Sequence, residues 1–200
     1  SSPMVLGDPN PDWRGGISLN MRYKKFRLNA VLEHSQGGSF SPRTLWVLRR
    51  FGTTQETANR LTLDQSLVNY KGTTVPAGTT VRGNVKDFGG GPVLLDENWY
   101  RTGIGGGFGD NQAYNFSIAD ATWTKLRDLS LSYVLDTPVI KNIGLNDVIL
   151  TFTGRDLINI NNVDGIDPEI NTKGVSVAQG VEYFTNPQTK GFLFSLTINY

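Results

Sequence analysis

Apolar and polar residues alternate with a period of two along unusually long stretches of this chain. Ile17, Leu19, Met21 and Tyr23 alternate with Ser18, Asn20 and Arg22. After Lys24-Lys25 the pattern resumes, with Phe26, Leu28, Ala30 and Leu32 set against Arg27, Asn29 and Glu33, and Val31 as the exception. Leu129, Leu131, Tyr133 and Leu135 form a third apolar row, and Val148, Leu150 and Phe152 a fourth. Phe192, Phe194, Leu196, Ile198 and Tyr200 form the fifth. Side chains of a strand point alternately to opposite faces, so each stretch predicts a strand with one apolar and one polar face.

These strands run to about nine to eleven residues, against a usual mode of five or six. Tilted near 45°, that length crosses a bilayer, and apolar-out, polar-in alternation over about ten residues marks a transmembrane β-barrel. A soluble sheet with one buried face gives the same pattern strand by strand. The connections favour the barrel: Lys24-Lys25 is very short and Asp136 to Asp147 moderate, with Pro138 and Gly144 as breakers, whereas 35–122 and 157–189 are long. Long structureless loops are uncommon in compact soluble domains, and outer-membrane barrels pair short periplasmic turns with long extracellular loops. The expected fold is therefore all-β, a membrane-spanning antiparallel β-barrel segment with strands near 16–23, 26–34, 124–135, 147–156 and 190–200. With Tyr200 as the barrel end, both long loops fall outside the cell. Tyr23, Phe26, Tyr133 and Tyr200 then lie at the periplasmic interface, and Trp13, Phe152 and Phe192 at the outer one.

Composition narrows the function. No Cys is present, which excludes disulfides, thiolate metal sites and a cysteine nucleophile. A net charge of +1 lacks the basic field of a nucleic-acid binder. Charged residues make up 18% and Gly numbers 23 of 200; fewer charges and more Gly than average disfavour a helical or disordered chain. No apolar run is long enough for a transmembrane helix, and the first ten residues do not read as a signal peptide. Such a chain is expected either to stay in the cytoplasm or to be part of a longer polypeptide.

Four segments carry a family resemblance. Gly7-Asp8-Pro9-Asn10-Pro11-Asp12-Trp13 with Gly16 is similar to a G-x-P-x-P-D-W-x-x-G motif, and Tyr23-Lys24-Lys25-Phe26 to a Y-K-G-F hairpin with Lys25 in place of Gly. Lys125-Leu126-Arg127-Asp128-Leu129-Ser130-Leu131-Ser132-Tyr133 matches K-L-R-x-L-x-L-x-Y. Gly154-Arg155-Asp156-Leu157 followed by Gly165-Ile166-Asp167-Pro168-Glu169 resembles G-R-N-L…G-x-D-P-E, with Asp156 in place of Asn. In this order the chain resembles the C-terminal barrel segment of SusC/RagA-like TonB-dependent outer-membrane transporters of the Bacteroidetes type. Tyr200 fits an outer-membrane barrel-end signal.

The resemblance implies a barrel of about 22 strands around a plug, of which this chain supplies about five and no plug. Five strands leave open edges that lipid does not tolerate, so part of a longer chain or of a split barrel is expected. The implied activity is nutrient import across the bacterial outer membrane, of oligosaccharides or oligopeptides. The implied partners are a SusD-like surface lipoprotein, the TonB–ExbB–ExbD complex acting through the plug, the rest of the barrel and membrane lipid. No enzyme chemistry, nucleic acid or cofactor is expected. The alternatives are a soluble secreted glycan-binding β-domain and a passive or structural outer-membrane barrel.

Arg22, Arg27, Asn29, Glu33, Arg155, Ser195, Thr197 and Asn199 fall on the expected lumen face, where they would meet plug or solute. Trp46, Trp99, Tyr100, Phe108 and Tyr114 lie in the long loop, where aromatics either stack on sugars or a lid protein or pack the loop on itself. Ser41 to Arg50 reads as a short helix. Asp164, Asp167 and Glu169, with Asn161 and Asn162, form an oxygen-rich cluster that would suit Ca²⁺, although the spacing is not that of an EF-hand and Pro168 favours a structural turn. Gly103 to Gly109 reads as a flexible loop, since a phosphate cradle needs a strand before it and a helix after it. His34, the only histidine, has no nucleophile motif beside it.

Overall fold

The computed structural model describes residues 5–101, 118–170, 172 and 179–200. The chain divides into two units. The first comprises Asp8–Ser39, Asp120–Glu169 and Asn186–Tyr200. It holds a five-stranded sheet of β1 (Trp13–Tyr23), β2 (Phe26–Gln36), β3 (Trp123–Leu135), β4 (Asp147–Asn161) and β5 (Gly191–Asn199). The strands lie in sequence order and every neighbouring pair is antiparallel. This is the antiparallel all-β segment that the alternation predicts. No helix among the described residues is long and apolar enough to cross a membrane.

Register turns five separate alternations into two continuous faces. Met21, Leu28, Leu131, Phe152 and Phe194 stand in one cross-strand row, as do Arg22, Arg27, Ser132, Thr151 and Ser195. The apolar face is exposed: Ile17 is 67% accessible and Phe194 79%. In a water-soluble sheet this face would be buried against a second layer. Outward-facing apolar side chains are instead the pattern of a barrel wall in lipid. Val31, Val134, Ile149 and Leu193 are apolar interruptions of the polar face.

Two local features set that register. Tyr23 pairs with Phe26 across the two-residue turn, and Lys24 takes a left-handed φ of 53°, a conformation that tight hairpins demand and Gly or Asn supplies more readily. Lys25 forms an ion pair with Asp136. The second feature is a slip of one residue between Leu126 and Asp128 against both β2 and β4. On β4 the slip is met by Asp156 at a left-handed φ of 50°. Just before it, a Cβ on Gly154 would lie 2.8 Å from the Leu157 methyls. The Gly154-Arg155-Asp156-Leu157 motif is thus a β-bulge, with Gly leaving room for Leu157 and a short polar residue accepting positive φ.

The bulge corrects one sequence expectation. β4 runs on to Asn161 instead of ending near 156, so Phe152 is its sixth residue of fifteen and not an outer-interface terminus. It stacks on Phe192 at 6.0 Å and packs against Phe194 at 4.9 Å between ring centres.

The second unit comprises Phe40–Ala119 and Ile170–Thr185, with the first residues of the chain. The 35–122 connection, expected to be a long loop with a short helix over Ser41 to Arg50, carries that helix at Arg43–Phe51 and further regular structure. An antiparallel sheet joins Arg60–Thr62, Thr80–Asp87 and Pro92–Asp96. Leu67–Val68 pairs with Thr74–Val75, and helices span Arg43–Phe51, Gln55–Ala58 and Glu97–Arg101. The reason is a local core: Leu63, Leu67 and Leu94 pack with Leu61, Val75 and Val81, and Leu95, Trp99 and Tyr100 with Tyr70 and Val93. Helix Arg43–Phe51 starts at Pro42, which gives no side-chain cap. Glu182, 2% exposed, instead accepts from the Thr44 amide at 3.3 Å and the Thr44 hydroxyl at 2.6 Å.

Candidate functional site

The polar face of the five-stranded sheet gathers chemistry that one strand cannot show. Glu33 on β2 stands opposite Lys125 on β3, and Lys125 opposite Asn159 on β4. Arg127 is the extra residue of the bulge, so it reaches the same face as Lys125. Without the slip, Lys125 and Arg127 would share a face with Leu129, Leu131 and Tyr133.

The Lys125 side chain is 1% accessible. Its ammonium donates to both Asp167 carboxylate oxygens at 2.8 and 2.6 Å, to Glu169 at 2.6 Å and to the Gln188 carbonyl at 3.2 Å. Arg127 donates from Nε to Glu33 at 2.7 Å and also to Glu169, and lies 3.6 Å from Asp156. Both cations sit over the Trp123 ring, at 5.0 and 5.1 Å, and Asn159 adds a hydrogen bond to Asp167 at 3.2 Å. A buried ammonium is tolerable only when paired and hydrogen-bonded, and here it has four acceptor atoms. Burial alone would push the Glu169 carboxyl up, but donors from Arg127 and Lys125 hold it below its ordinary 4.5. The result is an ionic clamp that ties 167–169 to β3. It joins the Lys125-Leu126-Arg127 and Asp167-Pro168-Glu169 motifs in space.

The clamp engages two of the acidic residues singled out for Ca²⁺. Asp167 and Glu169 are already bound by a lysine and an arginine, and Asp164 is exposed outside that network. Among the described residues no group of three His, Asp or Glu is placed to hold a metal ion.

The lumen-face set divides along the sheet. Glu33 belongs to the clamp. Arg155 faces Asp128 at 3.9 Å and its side chain is 68% accessible. Asn199 donates to Asp147 at 2.6 Å. Arg22, Arg27, Asn29, Ser195 and Thr197 share the polar face, beside hydroxyl pairs Ser130–Thr153 and Ser132–Thr151 at 2.8 and 2.9 Å. Tyr200 follows β5 and is almost fully exposed. His34 bonds Thr124 at 2.8 Å and packs on Trp13, a structural role at the strand end.

The loop aromatics are not free stacking platforms. Trp46, Trp99 and Tyr100 are each buried to 6% exposure, because the loop folds around its own apolar residues. Phe108, Tyr114 and the 103–109 glycine stretch lie outside the described residues. Lys125, Arg127 and Trp123 were missed as site residues. The signal for them was the three-residue step from Leu126 to Leu129 in a period-two strand, which betrays the bulge.

The fold and its two faces define a wall segment of an outer-membrane-type β-barrel. Comparison with known proteins points the same way. No protein-family model matches the chain. The chain is 23% identical over 201 residues, 98% of its length, to TonB-dependent receptor P3 of Formosa agariphila. Its fold is similar to the RagAB peptide importer in the open-open state, with TM-score 0.56 and 17% identity over 96% of the chain. The closed-closed state gives TM-score 0.53 and 16% identity. The chain spans 17% of the length of each of these proteins. The likeness to SusC/RagA-like TonB-dependent receptors thus holds in sequence and in fold.

Proposed function

We propose that this chain is the C-terminal wall of a TonB-dependent importer in the bacterial outer membrane. The observation that carries the reading is the five-stranded antiparallel sheet with an exposed apolar face and a continuous polar one. Lipid takes the first face, and a plug and a passing solute take the second. Transport needs no covalent chemistry from such a wall. Arg22, Arg27, Asn29, Ser195 and Thr197 offer donors and acceptors that a polar solute exchanges for water. The ionic clamp holds the segment after β4 on the wall while energised movement of the plug by TonB–ExbB–ExbD opens the path. A SusD-like lipoprotein closes the outer mouth. The cargo class is oligopeptide or oligosaccharide; the named activity of RagAB supports the former.

The test is membrane fractionation followed by detergent extraction and intact mass measurement of the native polypeptide carrying this sequence. A membrane-embedded polypeptide several times longer, with a plug upstream, is expected. A soluble 200-residue chain extracted without detergent overturns the reading in favour of a secreted glycan-binding domain. A long membrane chain without a plug makes it a passive barrel.

A further inference from the structure

The second unit contains a pocket that the wall reading leaves unused. It encloses about 240 Å³ and is lined by Arg49, Arg50, Arg82, Arg101, Glu97 and Tyr100 among others. Four arginines line it from three elements: the last turn of helix Arg43–Phe51, strand Thr80–Asp87 and the end of helix Glu97–Arg101. A helix C-terminus favours cations in its last turn, which accounts for Arg49, Arg50 and Arg101 but not for Arg82.

Arg49 pairs with Glu56 and Arg101 with Glu97. Arg82 is held differently: its Nε donates to the Thr57 carbonyl at 2.6 Å and its Nη2 to the Gly52 carbonyl at 3.1 Å. Among the described residues it meets no carboxylate. Two backbone carbonyls therefore fix a charged planar fork at the pocket edge without neutralising it. A fixed guanidinium matches the two oxygens of a carboxylate, and its ordering cost is met before the ligand arrives. Tyr100 supplies a rigid wall, its hydroxyl accepting from Asn84 at 2.9 Å. The volume lies just below the roughly 300–1,000 Å³ of drug-sized sites, so it admits one acidic residue or sugar and not a whole oligomer.

We propose that this pocket binds a carboxylate-bearing unit of the imported solute, so that the cargo is acidic. The proposal rests on the importer reading. Its test is isothermal titration calorimetry on the full-length receptor in detergent, with trigalacturonate, triglutamate and neutral maltotriose as probes, at low and high NaCl. At least one acid is expected to bind saturably, more weakly at high salt, while maltotriose gives no heat that depends on the arginines. Arg82→Gln is expected to weaken acid binding about tenfold or more, as loss of a charge-assisted contact implies. Arg101→Gln, at an exposed helix end, gives a several-fold loss with little risk to folding. Preference for trigalacturonate identifies an acidic glycan, preference for triglutamate an acidic peptide, and equal binding a reading of the acid alone. If neither acid binds, or both variants bind the acids as tightly as the parent, the pocket proposal falls. A membrane receptor that ignores both acids sinks this proposal alone, whereas a soluble chain sinks the importer reading.

Discussion

Single residues decide where this sheet turns and where it is clamped. Lys24 occupies a left-handed conformation that costs a non-glycine residue roughly 1–2 kcal/mol. Lys24→Gly should therefore raise stability of the folded barrel by about 0.5–1 kcal/mol, part of the relief being offset by the extra freedom of Gly in the unfolded chain. Urea titration followed by gel-shift would read it, and an unchanged or lower midpoint would contradict the strain argument. Lys125 is the opposite case. Its ammonium is surrounded by Asp167, Glu169 and Gln188, so Lys125→Met strands the buried Asp167 carboxylate. Breaking one side of a buried pair costs about 3–5 kcal/mol; the same titration should show a loss of that order.

The pH dependence of the clamp follows from the direction of one shift. Glu169 is held below its ordinary 4.5, so it binds fewer protons folded than unfolded. Its contribution is fully present above about that value and is lost as pH falls through the lowered folded value. Hydrogen exchange at 165–169 should therefore stay slow from pH 7 to 5, after correction for intrinsic rates, and accelerate below 4. Glu169→Gln should abolish that step; a step that persists in the variant would assign it to another carboxylate.

At the scale of elements, the two faces of β5 make the clearest contrast. Phe194 and Ser195 are neighbours on opposite faces. An arginine on the lipid face of a membrane strand costs about 2–4 kcal/mol near the midplane, whereas lumen positions tolerate it. Phe194→Arg should lower stability in lipid vesicles by that amount, and Ser195→Arg by well under 1 kcal/mol. Equal costs would remove the lipid-face assignment. The bulge belongs to this scale too. Strand positions and faces were legible because period two survives in any strand whose two sides meet different surroundings. The end of β4 was not: the slip at Arg127 and the turn at Asp156 interrupt the alternation, so β4 reads as if it stopped near 156. The Lys125–Asp167 pairing was illegible for the same reason, since 42 residues separate the partners.

At the scale of the molecule, β1 and β5 are the ends of the sheet order and, among the described residues, each has a strand neighbour on one side only. Unpaired strand edges in lipid leave backbone groups unsatisfied, and in water they recruit other chains. A polypeptide restricted to residues 1–200 should therefore fail to give a stable monomer in detergent-free buffer. Light scattering on refolded material would check it, a monodisperse species of 22.0 kDa being the contrary result.

Alternation, strand length and the four ordered motifs were enough to specify an antiparallel membrane wall and its family likeness. Those signals are local, and a local pattern records which side of a strand meets oil. Three features needed the folded chain. The long connection became a folded unit because Leu94, Trp99 and their neighbours find one another across sequence. Trp46, Trp99 and Tyr100 pack within the loop for the same reason. The acidic cluster became an ionic clamp because a bulge turned Lys125 and Arg127 toward it. Each depends on contacts between residues far apart in the chain, whose energies no local periodicity encodes.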